Sequence, residues 1–211
     1  MSHIDQDATR SRLLEAAGIV FAEKGFNAAT VREICRRAGA NVAAVNYHFR
    51  DKMELYVEVF RRSMVLAHEA EQQQLRLPPE EALAAIITGM VRRMQSAEEG
   101  AAWHVRIMAH ELAQPTAALD RVVQEVIGPR YAALRSLVSG IIGLPVDHET
   151  TRMSVLSVIA QVVHYAHARP VILRICPDMT FDPDRIGAHI SAFSIAGLRA
   201  IAAKAPQQDL S

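Results

Sequence analysis

The 211-residue sequence predicts an all-α protein: an N-terminal three-helix helix-turn-helix head followed by a larger helical body, about nine or ten helices in all. Three observations carry that reading. Half of the residues are hydrophobic but only 5% are aromatic, so the apolar content is mostly Ala, Val, Leu and Ile. Helix-starting and helix-stopping residues punctuate the whole chain. Residues 30–52 set two short helical patterns around a glycine turn, the signature of a helix-turn-helix.

The first helix is expected from about Ala8 to Lys24, with Leu13, Ala17, Val20 and Phe21 inward and Gly25 as its stop. Phe26 is expected to plug the small core of the head. Thr30 with Glu33 three residues on reads as a capping box. Val31, Ile34, Cys35 and Ala38 then make one apolar stripe, with Arg32, Arg36 and Arg37 off it. Gly39 ends that helix in a left-handed conformation. Asn41 caps a second short helix, Val42 to His48, held down by Val45 and Phe49. Asp51 with Glu54 caps a long helix running to about Leu77, where Pro78 and Pro79 stop it.

The body continues in helices over 80–96, 101–113, 116–142, 147–168, 170–175 and 184–203. The long 116–142 pattern is expected to kink at Gly128–Pro129. Val155, Leu156, Val158, Ile159, Val162 and Val163 make 154–168 apolar nearly all round, which requires burial on two sides. The last helix carries a small-residue row, Ala188, Ala192 and Ala196, that permits close helix approach. These two helices are expected to pack on their own domain and on a second copy, with Leu156, Ile159, Val163, Ala188, Ala192 and Ala196 at the interface. The tail from Pro206 is expected to be disordered.

The exposed face of the second short helix sets the chemistry. It carries Asn41, Val42, Ala43, Ala44, Asn46, Tyr47 and His48, and no acid. A solvated helix would be rich in Glu and Lys. Small apolar groups, amides and a phenol suit a major groove, where Ala or Val meets a thymine methyl and Asn pairs with adenine. Thr30–Lys52 holds five Lys/Arg against two Asp/Glu in a chain of zero formal charge, so attraction to phosphate is local. That balance excludes a histone-like coating protein.

The residues from Arg12 through Leu13, Leu14, Glu15, Ala16 and Ala17, with Phe21 to Phe26, Thr30 to Ile34, Tyr47 to Phe49 and Lys52 to Leu55, resemble the DNA-binding domain of TetR/AcrR-type transcriptional regulators over about residues 9–56. The family usually has Tyr where Asn46 stands, and here Tyr47 follows, so the family's Tyr–phosphate contact can fall on either. The resemblance implies that Arg32 reaches a base edge or phosphate. It also implies that Val42, Ala43 and Ala44 approach bases, that Asn46 reads adenine, and that Thr30, Tyr47, His48 and Lys52 grip phosphates. Asn41 opens this DNA-facing set. A more distant resemblance, over Glu111 to Thr116, Arg169 to Val171 and the last helix, points to the branch governing drug-efflux operons.

The implied division is 1–51 for DNA binding and 52–211 for effector binding and dimerisation. Met64, His68, Met90, Met94, Trp103, Ile107, Met108, Glu111, Tyr131 and Phe193 are the residues that could line an effector cavity, since flexible Met side chains adapt to apolar ligands. Taken singly, each is better read as core, and Glu111 as a local cap or salt-bridge partner. His164 and His167 share a face, but no Cys or carboxylate completes a metal set with them or with His104 and His110. Cys35 reads as an inert buried thiol and Cys176 as a loop residue. No nucleophile elbow, phosphate loop or carboxylate dyad supports catalysis, and no metal or cofactor is expected.

No run of ~18 apolar residues would span a membrane, the N-terminus lacks a secretory pattern, and two distant cysteines fit a reducing cytoplasm. The expectation is a cytoplasmic homodimer that binds a palindromic double-stranded operator as a repressor. An apolar or amphipathic small molecule would release it. An activator or protein-partnered regulator is the alternative within DNA binding. A helical binding module that does not use DNA is the alternative of a different class.

Overall fold

The computed structural model describes the backbone of residues 3–95 and 99–204, and the side chains of all of these except 3–5, 63–72 and 99–102. Among the described residues every regular element is helical: α1 (His3–Ala28), α2 (Val31–Ala38), α3 (Val42–Phe49), α4 (Lys52–Gln74), α5 (Pro79–Gln95), α6 (Glu99–Ala113), α7 (Ala117–Val122), α8 (Gly128–Ile142), α9 (Glu149–His167), α10 (Arg169–Ile175) and α11 (Pro183–Ala202). A π-helical turn, Val123–Ile127, joins α7 to α8 without a break.

The ends lie where the chemistry of the sequence puts them. Gly25, at φ 70°, breaks α1 into two pieces. Thr30 Oγ1 accepts from Glu33 N–H at 3.2 Å, but the return half of the expected capping box is replaced. Lys24 Nζ takes both carboxylate oxygens of Glu33 at 2.7 Å. Gly39 adopts the left-handed conformation, φ 62° and ψ 38°. Asn41 Oδ1 accepts from Ala44 N–H at 2.9 Å, and Asp51 Oδ1 from Glu54 N–H at 2.9 Å, so both caps form as expected.

Just before the Gly128–Pro129 pair, where a kink is expected, the helix takes a π-helical turn. Pro129 has no N–H for the carbonyl four residues back, and the helix widens instead. The Gly128 N–H reaches Val123 O. A Cβ on Gly128 would stand 2.9 Å from that oxygen, so the widened turn needs glycine there.

The chain divides into two compact units. One is Met1–Leu66 with Ala97–Gly128; the other is Ala67–Ser96 with Pro129–Ser211. The first contains the head, α6 and α7. Leu13, Phe21, Ile34, Val45, Phe49, Leu55, Tyr56 and Phe60 make its core together with Trp103, Ile107 and Val122. Here α6 lies directly against α1. A Cβ on Gly18 would fall 2.1 Å from Trp103 Cε3, so the indole fills the space that any other residue would occupy. Tyr56 meets Phe21, Phe26 and Phe60 edge-on at centroid distances of 4.8, 5.0 and 5.3 Å.

In the second unit α11 packs along α5 and α9. Leu83, Ile87, Val138, Val155, Val158, Val162, Ile186 and Ile190 form its core. Gly187 permits the closest approach, since a Cβ there would meet Thr88 at 2.8 Å.

Candidate functional site

α2 and α3 are held as one body by their shared apolar side. Ile34, Cys35 and Ala38 from α2 and Val45 and Phe49 from α3 are all buried. The Cys35 thiol donates to Asn41 O at 3.4 Å across the turn, and burial pushes its pKa up. What α3 leaves outside is the predicted face. Asn41, Val42, Ala43 and Asn46 are exposed, Tyr47 is 70% exposed, and Ala44 and His48 are half-buried. The Tyr47 and His48 rings meet edge-on at 4.9 Å, which fixes the phenol pointing outward.

Cations surround this face. Lys24 is paired with Glu33 and Arg37 with Glu23 at 3.7 Å. Among the described residues, Arg32, Arg36 and Arg50 stand exposed without a carboxylate partner. Thr30 is exposed, its oxygen already accepting the Glu33 amide. Lys52 differs from the others. Its Nζ turns inward and donates to Phe26 O at 2.8 Å and Ala29 O at 3.0 Å. It also lies 4.4 Å from the centre of the Phe26 ring. Arg50 stands at the turn between α3 and α4 with a positive φ, 71°.

The residues named for an effector cavity are divided between the two units. Trp103, Ile107, Met108 and Glu111 belong to the first unit. Glu111 is only 1% exposed. It accepts from Tyr56 Oη at 2.6 Å, Thr116 Oγ1 at 2.9 Å and Thr116 N–H at 2.9 Å; burial, and then the bond to Glu111, pushes the Tyr56 phenol pKa up. Met90, Met94 and Tyr131 sit half-buried against the core of the second unit. Phe193 is 67% exposed on the outer side of α11, not in the interior of its unit. The side chains of Met64 and His68 lie outside the described residues.

Phe193 shares its outer side with Ala188, Ala192 and Ala196, all exposed. On the neighbouring α9, Met153 and Leu156 are exposed, while Ile159 and Val163 are half-buried. Gln161 Nε2 ties the two helices through Ser194 Oγ at 3.1 Å. Met153 lies three residues before Leu156, on the same side of α9 by helical spacing. Among the described residues no group of three His, Cys, Asp or Glu could hold a metal ion, and no helix is long and apolar enough to cross a membrane.

Comparison with known proteins covers both parts of the chain. Residues 13–59 match the family described as bacterial regulatory proteins, tetR family. Residues 79–201 match the C-terminal domain of the HTH-type transcriptional dual regulator CecR. The HTH-type transcriptional dual regulator CecR of Shigella flexneri is 30% identical over 161 residues, 71% of each protein. Two solved structures share the fold. The fatty acid degradation regulator FadR from Bacillus halodurans has a TM-score of 0.68 at 17% identity, over 90% of this chain and 96% of that one. The transcriptional regulator FadR from Bacillus subtilis in complex with stearoyl-CoA has a TM-score of 0.68 at 15% identity, over 89% and 98%.

Proposed function

The chain belongs to the TetR family of bacterial transcriptional regulators, with a CecR-type C-terminal domain, and from that premise we propose that it is a homodimeric, effector-controlled repressor of a palindromic operator. It is a DNA-binding regulator and not an enzyme. The observation that carries the finer reading is the exposed, acid-free face of α3, displayed on a turn whose caps are all formed.

In this reading residues 1–51 bind DNA and 52–211 bind effector and partner. Val42, Ala43 and Ala44 meet base edges, Asn46 reads adenine, and Arg32, Thr30, Tyr47 and His48 take phosphates or neighbouring bases. The outer sides of α9 and α11 meet their counterparts about a two-fold axis, which supplies the paired recognition helices that a palindrome needs. The exposed apolar side chains Leu156, Met153 and Phe193 on that surface support this placement.

An effector favours a head spacing that does not match the operator, and α4 carries the change as a continuous helix from the head into the body. Such a shift requires that the effector bind the released state better than the DNA-bound one. The stearoyl-CoA complex of a fold relative supports an amphipathic effector, with a thioester of coenzyme A as the first compound to try. The cytoplasm is the compartment where that ligand and the operator meet. The word dual in the name of the matched relative favours one second reading, activation at some promoters.

The test is a gel shift on duplexes selected by the protein from a random pool, at two salt concentrations, with stearoyl-CoA titrated in. The reading predicts a discrete, salt-sensitive complex that the thioester dissolves. A complex that survives saturating thioesters of every chain length would remove this effector class.

A further inference from the structure

We propose that Arg50, and not Lys52, supplies the DNA-phosphate contact at the turn between α3 and α4, and that Lys52 is a positioning residue that holds the turn in place. The inference rests on the reading of α3 as the helix that enters the groove.

Arg50 has φ 71° and ψ −53°, and it is the only non-glycine residue of positive φ among those described. The Asp51 N–H donates back to Phe49 O at 2.8 Å. Together these make Arg50 the centre of a γ-turn of the rare, strained kind. Glycine would adopt the same backbone without its side-chain clash. Strain of this sort persists only where the surroundings over-determine it, and they do so here. Phe49 is buried on one side with Arg10 over its ring. Asp51 on the other side is committed to capping α4.

The side chain that occupies this costly position is free to act. Arg50 is exposed, and its own N–H still donates to Asn46 O at 3.1 Å. Its Cα therefore stands one helical turn beyond exposed Asn46, on the side of α3 that carries Tyr47. A guanidinium there extends the groove face toward a backbone phosphate, which it can grip with two parallel donors.

Lys52 is already employed. Two of its three protons serve the carbonyls of Phe26 and Ala29, at the broken end of α1. The Phe26 ring covers it, and burial lowers its pKa. Turning it out to DNA would leave both carbonyls without this donor.

The experiment compares wild type, Arg50→Gly, Arg50→Gln, Arg50→Lys and Lys52→Met. Each is titrated by fluorescence anisotropy onto a duplex that the wild type selects from a random pool, between 50 and 200 mM KCl, with Tm measured in parallel. Each lost phosphate contact flattens the slope of log K against log salt by about 0.9. Arg50→Gly and Arg50→Gln should flatten it by that amount per protomer, Arg50→Gly without any fall in Tm. Arg50→Lys should restore most of the slope. Lys52→Met should lower Tm and leave the slope unchanged well below the transition. Unchanged slopes in both Arg50→Gly and Arg50→Gln would overturn the proposal, as would a flattened slope in Lys52→Met at unchanged Tm. A wild type that selects no duplex would overturn the DNA reading itself, and the Arg50 contact with it.

Discussion

The phenol of Tyr56 donates to the Glu111 carboxylate at 2.6 Å, joining residues 55 positions apart in the chain and both fully buried. It ties the first turns of α4 to the last turn of α6. Thr116, which caps α7, adds two more donors to the same carboxylate. A carboxylate buried without a cation is tolerable only when such donors surround it.

Removing one donor should therefore cost more than an average hydrogen bond. Tyr56→Phe leaves a buried acceptor short and is expected to destabilise by about 1–3 kcal/mol. Glu111→Ala should cost at least as much. The double variant should cost clearly less than the two losses added together, because the partners are coupled. Urea denaturation of the three variants checks this; simple additivity would mean that the pair does not interact in solution.

Gly18 is expected to be nearly irreplaceable. Ala at this position drives its methyl into the face of Trp103, and overpacking of that kind costs typically 1–3 kcal/mol, or ~2 as a central value. Trp103→Leu in the same chain should recover part of the loss by opening space. Thermal melts of the single and double variants read the effect. An unperturbed Gly18→Ala would contradict the close packing of α1 on α6.

The two thiols should separate cleanly under a disulfide reagent. Cys176 is exposed and should react at once. Cys35 is buried, bonded to Asn41 O and raised in pKa by burial, so at pH 8 it should react only as fast as the head opens. A stopped-flow trace with two fast thiols of equal amplitude would refute the burial of Cys35.

The outer sides of α9 and α11 predict the assembly state. Phe193→Asp with Ala192→Asp places two charges in the proposed two-fold contact. It should halve the mass measured by sedimentation while leaving helicity intact, because both side chains are exposed in the single chain. A mass unchanged at the same concentration would move the interface elsewhere.

Much of this was legible in the sequence because local chemistry decided it. Gly25, Gly39, Asn41 and Asp51 mark their helix ends by hydrogen-bonding and φ requirements that act over four residues, and the structure places the ends there. Heptad-scale spacing identified Ile34, Val45 and Phe49 as core. What spacing could not supply was partnership across the fold. Glu33 was expected to turn back to its own cap, and a lysine one helix away claims it. Motif position likewise says nothing about the two carbonyls, of Phe26 and Ala29, that lie within reach of Lys52 Nζ. The packing of Trp103 on Gly18 and the hydrogen bond from Tyr56 to Glu111 are also contacts across the fold that helical spacing does not encode. Phe193 has the same helical phase as core residues one turn away, and only the three-dimensional neighbours decide which side is outward.

The central claim is that α3 reads a palindrome as one of a pair. The most direct measurement is selection of duplexes by the wild-type protein from random sequence, followed by footprinting with wild type, Asn46→Ala and Tyr47→Ala. The account predicts inverted half-sites with centres about 34–36 Å apart. Asn46→Ala should relax the preference at one adenine per half-site, at a cost of about 1–3 kcal/mol. Enrichment of a single unrepeated site, or a footprint and affinity unchanged in both variants, would contradict it.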